Sequence, residues 1–139
     1  MLRTKDGDEN SYKSSDAINN IDWSVLKEGN AEYEMMRFYQ HLISVRREYG
    51  IFRAVNAAVT ANQLDAGRAV ITIDNHQGEK AMVVSNPTAD AMTYTLTSGW
   101  YMVSNGVSAT DGAPVFCEGE ITVPPHCAIV FVNAACISE

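Results

Sequence analysis

The sequence predicts a mainly β protein: an antiparallel β-sandwich preceded by a polar loop and one amphipathic helix. Three observations lead there. From about residue 51 onward the chain breaks into short β-branched or aromatic runs separated by turn residues. Residues 24–49 instead carry apolar side chains at helical spacing. Residues 1–23 are polar and rich in turn formers, with no periodicity. At 139 residues, one domain, or a domain with an appendage, is the expected size.

The opening loop holds four acids (Asp6, Asp8, Glu9, Asp16) and three asparagines (Asn10, Asn19, Asn20). The helix rests on Met35, Met36, Tyr39, Leu42, Ile43 and Val45, with Tyr33 and Tyr49 extending the stripe. Asn30 is a candidate N-cap, Arg46 and Arg47 suit the last turn, and Gly50 suits the residue after it. A lone helix of this length is marginal in water, so its stripe needs a partner. The strands are expected at 69–73, 80–86, 91–97, 100–104, 120–123 and 128–133. Asp74-Asn75, Gln77-Gly78, Asn86-Pro87, Ser98-Gly99, Asn105-Gly106, Asp111-Gly112 and Pro124-Pro125 are the expected turns. In 91–97, Met92, Tyr94 and Leu96 alternate with threonines, which puts one face inward.

Apolar residues make up 46%, enough for a core. The formal net charge of −7 opposes nucleic acid and anionic membrane surfaces, and leaves sugars and proteins as partners. Cys117, Cys127 and Cys136 have neither CxxC spacing nor an even count, so free thiols in a reducing compartment are expected. A Cys117–Cys127 bridge between neighbouring strands is the alternative for an exported protein. Residues 1–5 have no apolar signal core, and no run is long enough to span a membrane.

No catalytic machine is legible in the residues. Asp6-x-Asp8-x-Asn10 begins like a calcium loop, but Ser11 and Ala17 replace its glycine and its glutamate, so no metal is expected. Asp6/Asp8 and Glu118/Glu120 are carboxylate pairs only by proximity in sequence. His41, His76 and His126 lack metal-ligand spacing, and neither a nucleophile elbow nor a nucleotide motif occurs, so no cofactor is expected. Tyr94, Trp100 and Tyr101 suit a core. In a regular strand, one of the adjacent Trp100 and Tyr101 points away from it, where it is a candidate for stacking on a sugar ring.

Arg3-Thr4-Lys5, Gly7-Asp8-x-Asn10-Ser11-Tyr12 and Ser14-x-Asp16-x-x-Asn19-x-Ile21-Asp22-Trp23 together resemble a signature segment of type I pullulanases. These are starch-debranching enzymes of the α-amylase superfamily, glycoside hydrolase family 13. Tyr39-x-x-Leu42-Ile43-x-x-Arg46 with Phe52-Arg53 is similar to the family's last barrel helix and its exit. Gly119-x-Ile121-x-Val123-Pro124-Pro125 with Ala128-x-Val130 is similar to the closing strands of its C-terminal β domain.

The resemblance implies a division at about residue 50. Residues 1–50 would be the end of a (β/α)₈ catalytic barrel, with a rim loop at 3–23 and the last helix at 24–49; residues 51–139 would be the C-terminal all-β domain. The family's catalytic carboxyl motifs lie on earlier parts of that barrel and do not occur in this chain. The chain alone is therefore expected to be inactive, with the missing barrel as its partner and an α-glucan as the parent's substrate. Arg3, Asp8, Asn10 and Tyr12 are the implied sugar contacts of that parent. Where no barrel covers the helix face, either the loop is expected to be poorly ordered, or the helix is expected to bury its free face on the β domain or against another copy in a homodimer. An autonomous carbohydrate-binding module acting through Trp100 or Tyr101, or a plain structural or dimerisation module, is the alternative.

Overall fold

A computed structural model of the chain describes residues 4–110 and 112–137. Two 3₁₀ turns (Lys5–Gly7, Ser11–Lys13), a short helix α1 (Asp16–Asn19) and a third 3₁₀ turn (Trp23–Val25) make up the opening segment. The long helix α2 spans Ala31–Glu48. Six strands follow: β1 (Ala58–Gln63), β2 (Ala69–Asp74), β3 (Lys80–Asn86), β4 (Met92–Ser104), β5 (Val115–Val123) and β6 (Cys127–Val132).

The helix starts later than residue 24 because Gly29 sits at φ +87°, outside helical space. Asn30 takes the N-cap position, but its amide side chain turns back to donate to the Val25 carbonyl at 3.0 Å. Glu32 and Glu34 in the first turn and Arg46 and Arg47 in the last match the helix dipole. At the other end, extended Tyr49 stops the helix, and Gly50 opens a 3₁₀ turn (Gly50–Arg53) rather than forming a left-handed cap.

The strands form one antiparallel sheet in the order β1-β2-β3-β6-β4-β5. The Ser98-Gly99 turn expected from the sequence is a bend inside the single long strand β4, where the register against β5 shifts between Leu96 and Trp100. Beyond that bend, Met92 and Leu96, with Val123 of β5, share one core with Val70, Met82, Val84, Cys127, Ile129 and Phe131. The sheet thus curls over one of its own faces. On the other face, Ala81, Val103 and Val132 pack with Val45, Tyr49 and Ile51 from the end of α2 and the turn after it. Strand β6 feeds both cores, with Ile129 and Phe131 on one side and Val132 on the other.

Strand β1 was not expected from the sequence, since all six of its residues are exposed and it has no amphipathic pattern. The expected strand at 120–123 begins earlier, at Val115. All three cysteines are free thiols, and β4 lies between the strands of Cys117 and Cys127.

Asn86 ties one end of the sheet together. Fully buried, it donates to the carbonyls of Asp90 (2.8 Å), Val123 (3.2 Å) and Pro124 (2.9 Å). Its oxygen accepts from Thr88 Oγ1 at 2.7 Å and from Arg68 Nε at 3.3 Å. Four loops and strand ends therefore meet on one amide. At the same end of the sheet, beside the start of β6, Gly106 at φ +72° has no room for a side chain, because a Cβ would lie 2.2 Å from the Ala128 carbonyl oxygen.

Replacing Asn86 by alanine strands several buried carbonyls, each costing about 1–3 kcal/mol when unpaired. The variant should lose about 2–4 kcal/mol in urea unfolding at an unchanged m-value.

Candidate functional site

The opening segment folds largely on itself. Asp8 accepts from the Asn10 backbone N–H at 3.0 Å and from the Ser14 hydroxyl. Asn19 donates to the carbonyls of Ser11 (2.6 Å) and Ser14 (3.1 Å), and Lys5 donates to Ser11 Oγ and Asn19 Oδ1. Asp22 accepts from the Ser24 N–H and hydroxyl. Lys5 and Asp6 are held at φ +52° and +53°, an uncommon region for residues with side chains. Built from a fixed set of Asx and serine contacts, the loop has a definite shape without a hydrophobic core.

Of the four loop candidates, Arg3 lies outside the described residues. Asp8 is occupied within the loop; the Ser14 hydroxyl, then the Asn10 amide, hold its carboxyl below the usual carboxylate range. Asn10 is exposed and uses its backbone N–H on Asp8. Tyr12 is 73% exposed, with the Lys13 ammonium 5.2 Å from its ring centre. The loop therefore offers a hydrogen-bonding amide and an exposed aromatic ring, the two groups a sugar ring would need. A cleft of about 300 Å³ separates its inner side from the start of α2, lined by Lys5, Asp6, Asn20, Asp22 and Glu32 among others.

The two strand aromatics are placed differently. Trp100 and Tyr101 do point to opposite faces, but both faces of the curled sheet are covered. Trp100 packs against the first core and Tyr101 against the second, and each is partly buried. Tyr101 also meets Phe116 edge-on at 5.4 Å.

A second groove, of about 330 Å³, lies along the C-terminal half of α2. Arg37, His41 and Glu48 face Ser104, Asn105 and Thr110 across it, and His41 Nε2 meets Thr110 Oγ1 at 3.2 Å. Tyr49 stands at its base; burial, with the Glu48 carboxylate beside it, pushes the phenol up to about 12. His126 Nδ1 donates to the Pro87 carbonyl at 3.0 Å, and His76 lies 4.0 Å from Asp74. Among the described residues no group of three or more His, Cys, Asp or Glu side chains gathers to hold a metal. Glu118 and Glu120 are exposed on the outermost strand.

The feature that sequence reasoning could not orient is the helix stripe. Only Val45 within α2 is buried. At about 100° per residue, Met36, Tyr39 and Ile43 lie on the opposite side of the helix. Tyr39 is 60% and Ile43 55% exposed. The helix touches the sheet by its last turns and turns an apolar stripe outward.

No family model matches the chain. A pullulanase of Bacillus subtilis (strain 168) is 36% identical over 76 residues, which is 55% of this chain and 10% of that protein. The chain resembles the pullulanases. Among solved structures, a pullulanase from Bacillus acidopullulyticus superposes with a TM-score of 0.77 at 23% identity, covering 96% of this chain and 17% of the other. A type I pullulanase from Bacillus subtilis str. 168, solved with maltose, gives 0.73 at 19% identity over 95% of this chain and 20% of that one. One from Anoxybacillus sp. LM18-11 gives 0.71 at 22% identity over 95% and 19%. The chain spans about a tenth of the curated pullulanase and no more than a fifth of these solved ones. It is nearly all pullulanase-like, and it corresponds to a small part of a pullulanase.

Because its hydrogen bonds favour the charged form, Asp8 should titrate below 3.8. The depressed value stabilises the loop at higher pH, and this contribution is lost as pH falls through the folded-state value. Amide NMR shifts of Asn10 and Ser14 should follow this titration, with a midpoint below that of an unpaired aspartate. A midpoint at or above 3.8 would contradict the Asp8 contacts.

Proposed function

We propose that this chain is the C-terminal, non-catalytic portion of a pullulanase-like debranching glycosidase. The observation that carries the reading is the asymmetry of coverage: 96% of this chain matches only 17% of a pullulanase. The parent would hydrolyse α-1,6-glucosidic bonds by a retaining double displacement between two carboxyls, both supplied by a barrel upstream. Here α2 is the last barrel helix. Its outward residues Met35, Met36, Tyr39 and Ile43 form the surface that the rest of the barrel would cover. The opening loop would then sit at the active-site rim, the face built by loops after barrel strands.

In that setting Arg3, Asp8, Asn10 and Tyr12 are the proposed rim residues. Tyr12 would stack on a glucose ring and Asn10 would bond its hydroxyls, while Asp8 would shape the loop. The β domain, a sandwich formed by one folded-over sheet, would stabilise the barrel through the Val45–Tyr49–Ile51 anchor. An autonomous sugar-binding module has less support, because Trp100 and Tyr101 are both engaged in packing. That reading predicts retention on starch gels that Trp100→Ala abolishes without unfolding the chain.

Two measurements test the proposal. Incubated with pullulan, the chain alone should release no reducing sugar, and sustained turnover would overturn the non-catalytic assignment. In the isolated chain at monomeric concentration, Ile43→Ala should change stability by less than about 0.5 kcal/mol. Val45→Ala should cost about 1–3 kcal/mol. Equal costs would mean that the stripe already has a partner within the chain.

A further inference from the structure

The two edges of the sheet are guarded very differently. β5 carries exposed Glu118 and Glu120, a register shift, and Gly119 at φ +75°, and it lies between Pro114 and Pro124. Charges, kinks and prolines of this kind keep one sheet edge from pairing with another. β1 has none of them. No charged residue and no proline occurs from Ala54 to Leu64. β1 pairs with β2 in unbroken register over all six residues, and every one of them is exposed. Val59 within it is 66% exposed, and Val55 just before it 96%.

The hydrogen-bond phase of this edge follows from the hairpin. Leu64 N–H donates to the Arg68 carbonyl at 2.8 Å, so the pair in register there is a hydrogen-bonded one. In an antiparallel ladder such pairs recur every second residue. Asn62, Thr60 and Ala58 therefore bond to β2. Val59, Ala61 and Gln63 aim their backbone N–H and C=O groups outward, where no other strand among the described residues pairs with them.

We propose that β1 is a self-pairing edge, at which two copies of this chain join their sheets antiparallel across a twofold axis. The outward groups are self-complementary about Ala61. With Ala61 opposite Ala61, Val59 of one copy falls opposite Gln63 of the other, and each outward N–H meets an outward C=O. The small Ala61 side chains meet at the axis without a clash, and the joint adds no like-charge contact to a chain of net charge −7. β5 cannot serve in the same way, since its glutamates would face each other. The contact is isologous and closes as a dimer. It uses neither the helix stripe nor the loop, so it does not depend on the proposed function, and it places the homodimer at a different surface from the helix face.

Sedimentation velocity over a concentration series tests the pairing. The unmodified chain should pass from monomer to dimer. Ala61→Pro removes one outward N–H while leaving the bonds to β2, and it should abolish the dimer with the fold intact. Ile43→Lys, on the helix stripe, should leave the dimer unchanged. If Ala61→Pro does not fold, Ala61→Cys gives the readout. Hydrogen-bonded partners lie about 5.5 Å apart at Cα, a spacing suited to a disulfide. Mild oxidation should therefore yield a 61–61 crosslink, mapped by mass spectrometry, and Thr60→Cys should yield none. A chain that stays monomeric throughout, a dimer that Ile43→Lys dissolves and Ala61→Pro does not, or equal crosslinking at both positions would overturn the proposal.

Discussion

The bend in β4 is the constraint on which the rest of this structure depends. A flat six-stranded sheet would present two open faces, and the described residues hold one long helix to cover them. By changing register between Leu96 and Trp100, β4 carries Met92, Leu96 and the end of β5 back over the sheet, so that Phe131, Val84 and Ile129 are enclosed by the sheet's own strands. The Asn86 amide fixes the far end of that fold by holding the carbonyls of Val123 and Pro124 against the end of β3. Only the opposite face is left for the helix.

That division explains how α2 sits. The open face is narrow, and Val45, Tyr49 and Ile51 suffice to close it against Ala81, Val103 and Val132. The helix runs on for several turns toward its N-terminus with little of the sheet beneath it. Its second apolar stripe, with Tyr39 and Ile43 exposed, then has nothing among the described residues to bury against. An 18-residue helix with one buried residue is a poor bargain for an independent domain and an ordinary one for a barrel element joined to a β domain. The opening loop completes the picture: Asp8, Asn19 and Asp22 shape it by hydrogen bonds alone, leaving Tyr12 and Asn10 on its surface.

Much of this was legible in the sequence where one pattern controls one structure. The alternation of Met92, Tyr94 and Leu96 with threonines correctly gave an inward face, and the helical spacing from Met35 to Val45 marked the helix. Local patterns failed where tertiary context decided. Ser98-Gly99 has turn chemistry, yet it lies in a continuous strand because β5 pairs on both sides of the bend and β6 pairs beyond it. β1 has no amphipathic signal because neither of its faces is covered, and it is a strand only because β2 offers an edge. Periodicity identified the apolar residues of α2 but not which of them face the sheet, since two apolar arcs share the helix. Trp100 and Tyr101 alternate as expected, yet the curl of the sheet gives both a core to join. For the loop, the motif carried more information than any physical pattern, because a network of Asx and serine contacts has no period to detect.

The proposed reading makes these 139 residues part of a longer pullulanase-like debranching enzyme. Sequencing the DNA immediately upstream of the Met1 codon tests it most directly. The account predicts coding sequence for a (β/α)₈ barrel, in frame and carrying three acidic catalytic motifs, that runs into Arg3. Upstream DNA that encodes no such barrel would contradict it.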